Sequence, residues 1–386
     1  MTERIREFLS DRRRVGLDDG PVLVVDLDVV RENYAKFARA LPDTRVFYAV
    51  KANPEPKLLA LLAKLGSCFD TASVAEIGMA LAAGATPERI SFGNTIKKER
   101  DIVQALELGV RLFAVDCEAE VEKIARAKVA AKAEDVQVFA RILCDGAGAE
   151  WPLSRKFGCV PEMAVDVLEH AHRLELTAYG VSFHVGSQQP NTEAWDGALG
   201  SASWIFRTLA ERGIHLRMVN LGGGFPTRYL KDVPAVEAYG NSIFQALSRH
   251  FGNRLPETII EPGRGMVGNA GMIESEVVLV SKKSRGEDEV QWVYLDIGKF
   301  GGLAETMDES IRYQIRTEHD EDRKVPCVLA GPTCDSADVM YEKTPYWLPV
   351  SLEIGDRVLI EGTGAYTATY SSVAFNGLPP LQTHVI

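Results

Sequence analysis

No apolar run in the chain approaches the roughly 20 residues that cross a bilayer, so no membrane-spanning helix and no membrane partner are expected. Cysteine is sparse: the six thiols, Cys68, Cys117, Cys144, Cys159, Cys327 and Cys334, show no close pairing. That excludes a zinc ribbon or a disulfide framework as the organising device, and no metal is expected. Positive charge is in deficit, with 43 Lys and Arg against 54 Asp and Glu and a formal net charge of −11. The deficit disfavours nucleic acid as a partner and is compatible with a cationic substrate. Residues 1–14 are charged where a secretory leader would be apolar, so a cytoplasmic location is expected.

What the chain does have is length and a repeating pattern. Its 386 residues suit two domains. Val46-Phe47-Tyr48-Ala49-Val50-Lys51-Ala52-Asn53 reads as a strand ending in a lysine, broken by Asn53-Pro54 before a leucine-rich helix. A lysine there points into the crevice where parallel sheets bind ligands, and desolvation would lower its pKa and make it nucleophilic. The ordinary alternative is a lysine that ends a strand in water.

From Val46 onward, apolar strands ending near Tyr48, Phe69, Phe92, Phe113 and Phe139 recur at the period of a βα unit. Longer units follow, with strands at 180–185, 218–221 and 258–260. Eight strands alternating with helices predict an α/β fold, a closed (β/α)8 TIM barrel over residues 28–269. Ser73-Val74-Ala75-Glu76 reads as a capping box, so Glu76 is assigned to a helix cap rather than to chemistry. After Gly271 the pattern turns to strands, at 277–280, 291–295, 325–330, 352–354 and 357–360. Residues 270–386 therefore predict a second, mostly β domain, to which residues 1–27 add the strand at 21–25.

Barrel sites lie at the C-terminal ends of the strands. Here those ends carry Lys51, Asp70, Asn94, Asp116, Arg141, His184 with Ser187, Gly222-Gly223-Gly224, and Glu261 with Arg264. The glycine triplet lets backbone N–H groups approach an anion, and Arg264 can add charge-assisted bonds to it. A lysine able to bond an aldehyde, a phosphate cradle and a carboxylate for a protonated ring nitrogen together point to pyridoxal 5'-phosphate. His184 offers a flat ring to stack on it.

The motifs FYAVKAN at Phe47, FDTAS at Phe69, VSFHVGSQ at Val181, LGGGFP at Leu221, EPGR at Glu261, GPTCDSAD at Gly331, GAYT at Gly364 and FNG at Phe375 run in order over nearly the whole chain. In this it closely resembles the alanine-racemase-fold (fold type III) pyridoxal-phosphate decarboxylases, the group that includes the ornithine, lysine/ornithine and diaminopimelate decarboxylases. The resemblance implies that Lys51 carries the cofactor and His184 stacks on its ring. Ser187, Gly222–Gly224, Gly263, Arg264 and Tyr366 bind around its phosphate, and Glu261 pairs with the ring nitrogen. Asp70 and Arg141 align with residues near the cofactor.

Cys334 and Asp335 would come from the neighbouring subunit, Cys334 as proton donor, which implies a homodimer with shared active sites. Asp338 and Lys156 match positions that pair across that interface. The glycine-rich 145–151 stretch could be a mobile cover or a surface loop. For the substrate, Asp335, Phe375 and the acids Glu305, Asp308 and Glu309, in a short helical stretch matching the family's specificity helix, suit a basic side chain. Decarboxylation of L-ornithine to putrescine, or of L-lysine to cadaverine, in polyamine synthesis is the expectation. Diaminopimelate or carboxynorspermidine decarboxylation, a racemase, and a non-catalytic protein like the antizyme inhibitors are the alternatives.

Overall fold

The computed structural model describes residues 1–17, 20–151, 155–284 and 290–386. They divide into two compact units, one of Arg31–Pro226 and Val233–Met266, the other of Met1–Val30, Thr227–Asp232 and Val267–Ile386.

The chain opens with a helix, α1 (Glu3–Arg14), then β1 (Val22–Val25) and the helix α2 (Leu27–Ala40). Eight parallel strands follow and close into a barrel: β2 (Thr44–Ala49), β3 (Cys68–Thr71), β4 (Ile90–Phe92), β5 (Leu112–Val115), β6 (Gln137–Arg141), β7 (Thr177–Ser182), β8 (Met218–Asn220) and β9 (Glu257–Ile260). The (β/α)8 expectation is met, and β2 pairs with β9 to complete the ring. Alternate residues of the strands, Phe47, Cys68, Leu112, Ala114, Phe139, Met218 and Ile259, fill the barrel as a packed core. The leucine-rich helix Pro56–Leu65 stops at Gly66, which takes φ +96°. Strand β7 starts and ends about three residues earlier than the 180–185 run suggested, so His184 lies beyond it.

Register decides which strand ends meet. Ala49 pairs with Asp70, Arg141 with Ser182, and the Glu261 N–H donates to the Gly222 carbonyl at 2.8 Å. Behind the β8 turn Trp195, Phe225 and Tyr239 pack ring on ring, with centroids 5.1 to 5.8 Å apart. The Trp195 Nε1–H donates to the Leu221 carbonyl at 3.0 Å, anchoring the turn from below.

In the other unit the long β10 (Gly271–Ser281) pairs with β1, β11 (Gln291–Leu295) and β16 (Arg357–Glu361). The N-terminal strand thus belongs to the C-terminal sheet, as its sequence suggested. Four further strands, β12 (Gln314–Thr317), β13 (Lys324–Ala330), β14 (Val339–Met340) and β15 (Tyr346–Pro349), and the last, β17 (Gln382–Val385), complete the sheet. The expected strand at 352–354 is absent. Gly355, at φ +93°, and the Asp356 carboxylate accepting the Glu353 N–H at 2.7 Å fold that run into a turn. Helix α1 was not foreseen: only Ile5 and Leu9 of its arginine-rich sequence are buried, against Val22, Val24 and Met272. No helix among the described residues is long and apolar enough to cross a membrane.

Candidate active site

Five strand ends of the barrel, those of β2, β3, β6, β7 and β9, converge on one electrostatic neighbourhood. Lys51 follows β2 in a short 3-10 turn, Val50–Ala52, and is exposed. Its charge acts on Asp70, Glu76 and His184. Asp70, at the end of β3, is held well above the usual carboxylate range, first by burial and then by repulsion from Glu261; Lys51 and a 3.1 Å bond from the Ser91 hydroxyl act against this. Gly93 leaves room for this carboxylate: a Cβ there would lie 1.9 Å from the Asp70 Oδ1 and would force it to shift.

The expected desolvation of Lys51 is corrected by its exposure. The desolvated lysine is Lys97, after β4, whose amine burial pushes down to about 8. Its Nζ donates to the Asn94 and Ala114 carbonyls and pairs with Glu120 at 3.0 Å. Asn94 and Asp116 bond to backbone: Asn94 Oδ1 accepts the nearby Ile96 N–H, and Asp116 accepts the Gly158 N–H at 2.9 Å. Glu76 is a helix cap, as expected. Its N–H donates to the Ser73 hydroxyl at 3.2 Å and its carboxylate accepts the Ala72 N–H at 2.7 Å.

His184 is pushed down to about 3 by burial and by the charges of Arg141 and Lys51. Its Nδ1 accepts the Gly186 N–H at 2.9 Å, which leaves Nε2 to carry the single proton of a neutral ring. Arg141, at the end of β6, lies over the Phe157 ring at 5.3 Å, and Lys156 lies over the same ring at 4.8 Å.

The anion cradle is built from β7, β8 and β9. Buried Arg264 donates from Nε and a terminal nitrogen to the Ser187 hydroxyl at 3.3 and 3.2 Å. Gly222 and Gly224 take φ +68° and +103°, and a Cβ on Gly222 would lie 2.0 Å from the Phe183 carbonyl. A Cβ on Gly223 would meet the Glu261 carbonyl at 2.8 Å. Gly263 is buried between Glu261 and Arg264.

Sequence reasoning missed Asn220, the last residue of β8. Its Nδ2 donates to Glu261 Oε1 and its Oδ1 accepts the Gly222 N–H at 2.9 Å, so one buried amide orients both the acid and the glycine turn. The only available signal was an asparagine just before the triplet, which alone carries no direction.

The remaining candidates lie in the β unit. Cys334 and Asp335 are exposed. Asn376 bridges to Cys334, accepting its N–H at 2.9 Å and approaching Sγ at 3.3 Å. Neighbouring Phe375 packs edge-on against Phe300 at 5.4 Å. Asp338 is buried and accepts from the Lys299 N–H at 2.8 Å and the Thr333 hydroxyl at 2.7 Å. Tyr366, at φ +57°, packs against Tyr370 at 5.9 Å.

The stretch carrying the three acids is a 3-10 turn, Ala304–Glu309, that breaks at Met307 and Asp308 rather than one helical run. Glu305 is buried, whereas Asp308 is exposed and lies 3.5 Å from Lys343. Glu309 pairs with Arg312 at 3.0 Å and accepts the Lys343 and Thr344 N–H groups.

A buried arginine and a hydroxyl aimed together, beside a glycine turn that no side chain could replace, fit a phosphate ester. A neutral histidine ring, an oriented carboxylate and an exposed lysine beside them fit a protonated aldehyde-bearing ring. Residues 27–268 match the family model of the pyridoxal-dependent decarboxylases, pyridoxal binding domain. The chain is 36% identical to a lysine/ornithine decarboxylase of Selenomonas ruminantium over 92% of its own length and 87% of the relative's. It is 34% identical to a chloroplastic ornithine decarboxylase of Nicotiana glutinosa, over 98% and 85%. It also superimposes on a Vibrio vulnificus lysine/ornithine decarboxylase crystallised with cadaverine, with a TM-score of 0.87 at 30% identity, over 100% of this chain and 99% of that one. The chain belongs to the pyridoxal-dependent decarboxylases, whose cofactor is pyridoxal 5'-phosphate.

Proposed function

We propose that this chain decarboxylates a basic L-amino acid, L-ornithine or L-lysine, giving putrescine or cadaverine for polyamine formation. The observation that carries the catalytic half of this reading is the shared field of Lys51, Asp70, His184 and Glu261 beside the Ser187–Arg264 pair. Lys51 would hold the cofactor's aldehyde end, Ser187, Arg264 and the Gly222–Gly224 turn would hold its phosphate, and His184 would supply a flat ring against it. Glu261, oriented by Asn220, would keep a proton on the ring nitrogen. When bound, the cofactor accepts the electron pair left by departing CO2. Cys334 Sγ from a second copy of the chain would be the proton donor toward the substrate's α-carbon, and Lys51 the amine that would hold the cofactor between turnovers.

The exposure of Cys334 and Asp335 supports their use by a second copy of the chain in a homodimer. Mixing the inactive Lys51→Ala and Cys334→Ala variants should then restore about a quarter of the activity through one intact site per mixed dimer, and no recovery would sink the shared site. All six cysteines are free thiols, which supports a reducing, cytoplasmic setting. At the substrate's distal end we assign recognition of the ammonium to the exposed acids Asp335 and Asp308. Glu309 is committed to Arg312 and two backbone N–H groups.

The test is CO2 release from ornithine, lysine, diaminopimelate and carboxynorspermidine by the purified holoenzyme. Ornithine and lysine should both react, within about 200-fold of each other in kcat/KM, because one methylene alters binding by only a few kcal/mol. Release from diaminopimelate alone would overturn the reading.

A further inference from the structure

Gln189, two residues beyond the Ser187 that meets Arg264, is fully buried, and its amide bonds in three directions. Its Nε2 donates to the Val185 carbonyl at 2.9 Å and to the Ala147 carbonyl at 3.1 Å, while its Oε1 accepts the Asn191 N–H at 3.1 Å. Its backbone N–H donates to the Gly224 carbonyl at 2.9 Å, and its own carbonyl accepts the Tyr239 hydroxyl at 2.8 Å. One residue therefore ties together the loop after β7, the glycine turn of the cradle and the glycine-rich stretch after β6.

That stretch lies directly against the cradle. Its Glu150 and Trp151 N–H groups donate to the Gln188 and Ser187 carbonyls at 3.1 and 3.2 Å. A Cβ on Gly186 would lie 2.3 Å from the Ala149 Cβ, so the Ala149 methyl packs on the Gly186 backbone and leaves no room for a side chain there. A cavity of about 400 Å³ borders the same stretch, lined by Cys144, Gly146, Ala147 and Gln189 among others. The stretch is thus held on its cradle side and bordered by space.

We propose that Gln189 is a positioning residue whose amide clamps the Gly146–Ala149 segment onto the Ser187 turn and thereby sets how tightly the cofactor's phosphate is retained. The inference rests on the reading of Ser187, Arg264 and the glycine triplet as that cradle. Gln189 touches neither substrate nor reacting atoms; it acts through Ser187 and through the segment it clamps.

Methionine at 189 keeps the length and removes every amide bond. Gly148→Ala acts from the segment's side, because Gly148 sits at φ +86° and a Cβ there would lie 3.3 Å from Gln189 Oε1. Cofactor affinity is read by titrating pyridoxal phosphate into the resolved apoenzyme. Gln189→Met should raise its Kd about tenfold and Gly148→Ala about fivefold, and the double variant should stay near tenfold, because both release the same segment. Amide exchange in the peptide spanning 145–151 should speed up in all three variants while barrel-strand peptides keep their wild-type rates.

A residue that merely supports the core would give effects that multiply to about fiftyfold and leave the segment's exchange unaltered, and either result would overturn the proposal. Should Gln189→Met not fold, Gly148→Ala, in an exposed loop, decides alone: a Kd within about twofold of wild type refutes the clamp. Arg264→Ala separates the two levels. If it keeps wild-type affinity the cradle reading itself fails, and if it weakens binding while the other variants do not, only the clamp fails.

Discussion

His184 shows how a single side chain is set by its neighbours. Burial, Arg141 and Lys51 push it down to about 3 from an ordinary 6.5, and the Gly186 N–H fixes its tautomer. Its folded pKa lies below the unfolded one, so as pH falls the unfolded chain takes up the proton first. Stability from this residue is intact above about 6.5 and is lost as pH drops toward about 3, with a slope of at most ~1.4 kcal/mol per pH unit. His184→Gln apoenzyme should show a shallower fall in urea-denaturation stability across that window, and an unchanged slope would contradict the neutral ring. At this scale the sequence exposed residues whose position alone implies chemistry, such as Lys51, His184, Glu261 and Arg264. It hid Asn220 and Lys97. Asn220's significance depends on the β8–β9 register, and Lys97's depends on Glu120 arriving from another βα unit.

Among the elements, the turn after β8 is the most constrained. Gly222 combines φ +68° with a carbonyl 2.0 Å from where a Cβ would sit, whereas Gly213, at φ +78°, has nothing within 4 Å. Gly222→Ala should therefore lower stability by about 2–5 kcal/mol, from left-handed strain plus a backbone collision, and Gly213→Ala by only about 1–2 kcal/mol from strain alone. Urea denaturation of the two variants checks this, and equal losses would mean that the turn can relax. The barrel strands were legible because each is a short apolar run with a turn signal behind it. Helix α1 was not, since its two buried residues, Ile5 and Leu9, make too narrow a stripe among arginines. The run at 352–354 misled because a leucine and an isoleucine flank a glutamate in strand-like alternation, while Gly355 and Asp356 impose a turn.

For the molecule as a whole, the barrel and the β sheet divide the candidate groups between them, the proposed cofactor cradle on one unit and Cys334, Asp335 and the acid-bearing turn on the other. The barrel also carries two lysines to the strand-end side of its ring, and only the complete fold distinguishes them. Lys97 has the lowered pKa but is enclosed by Glu120 and two carbonyls, whereas Lys51 is exposed and its charge reaches Asp70 and His184. A depressed pKa by itself would choose Lys97; access and neighbours favour Lys51, the lysine proposed to hold the cofactor. Reducing the holoenzyme with borohydride fixes the cofactor to whichever amine holds it, and peptide mass mapping then locates it. The pyridoxyl group should be found on Lys51, and its discovery on Lys97 or on any other lysine would contradict the site described above.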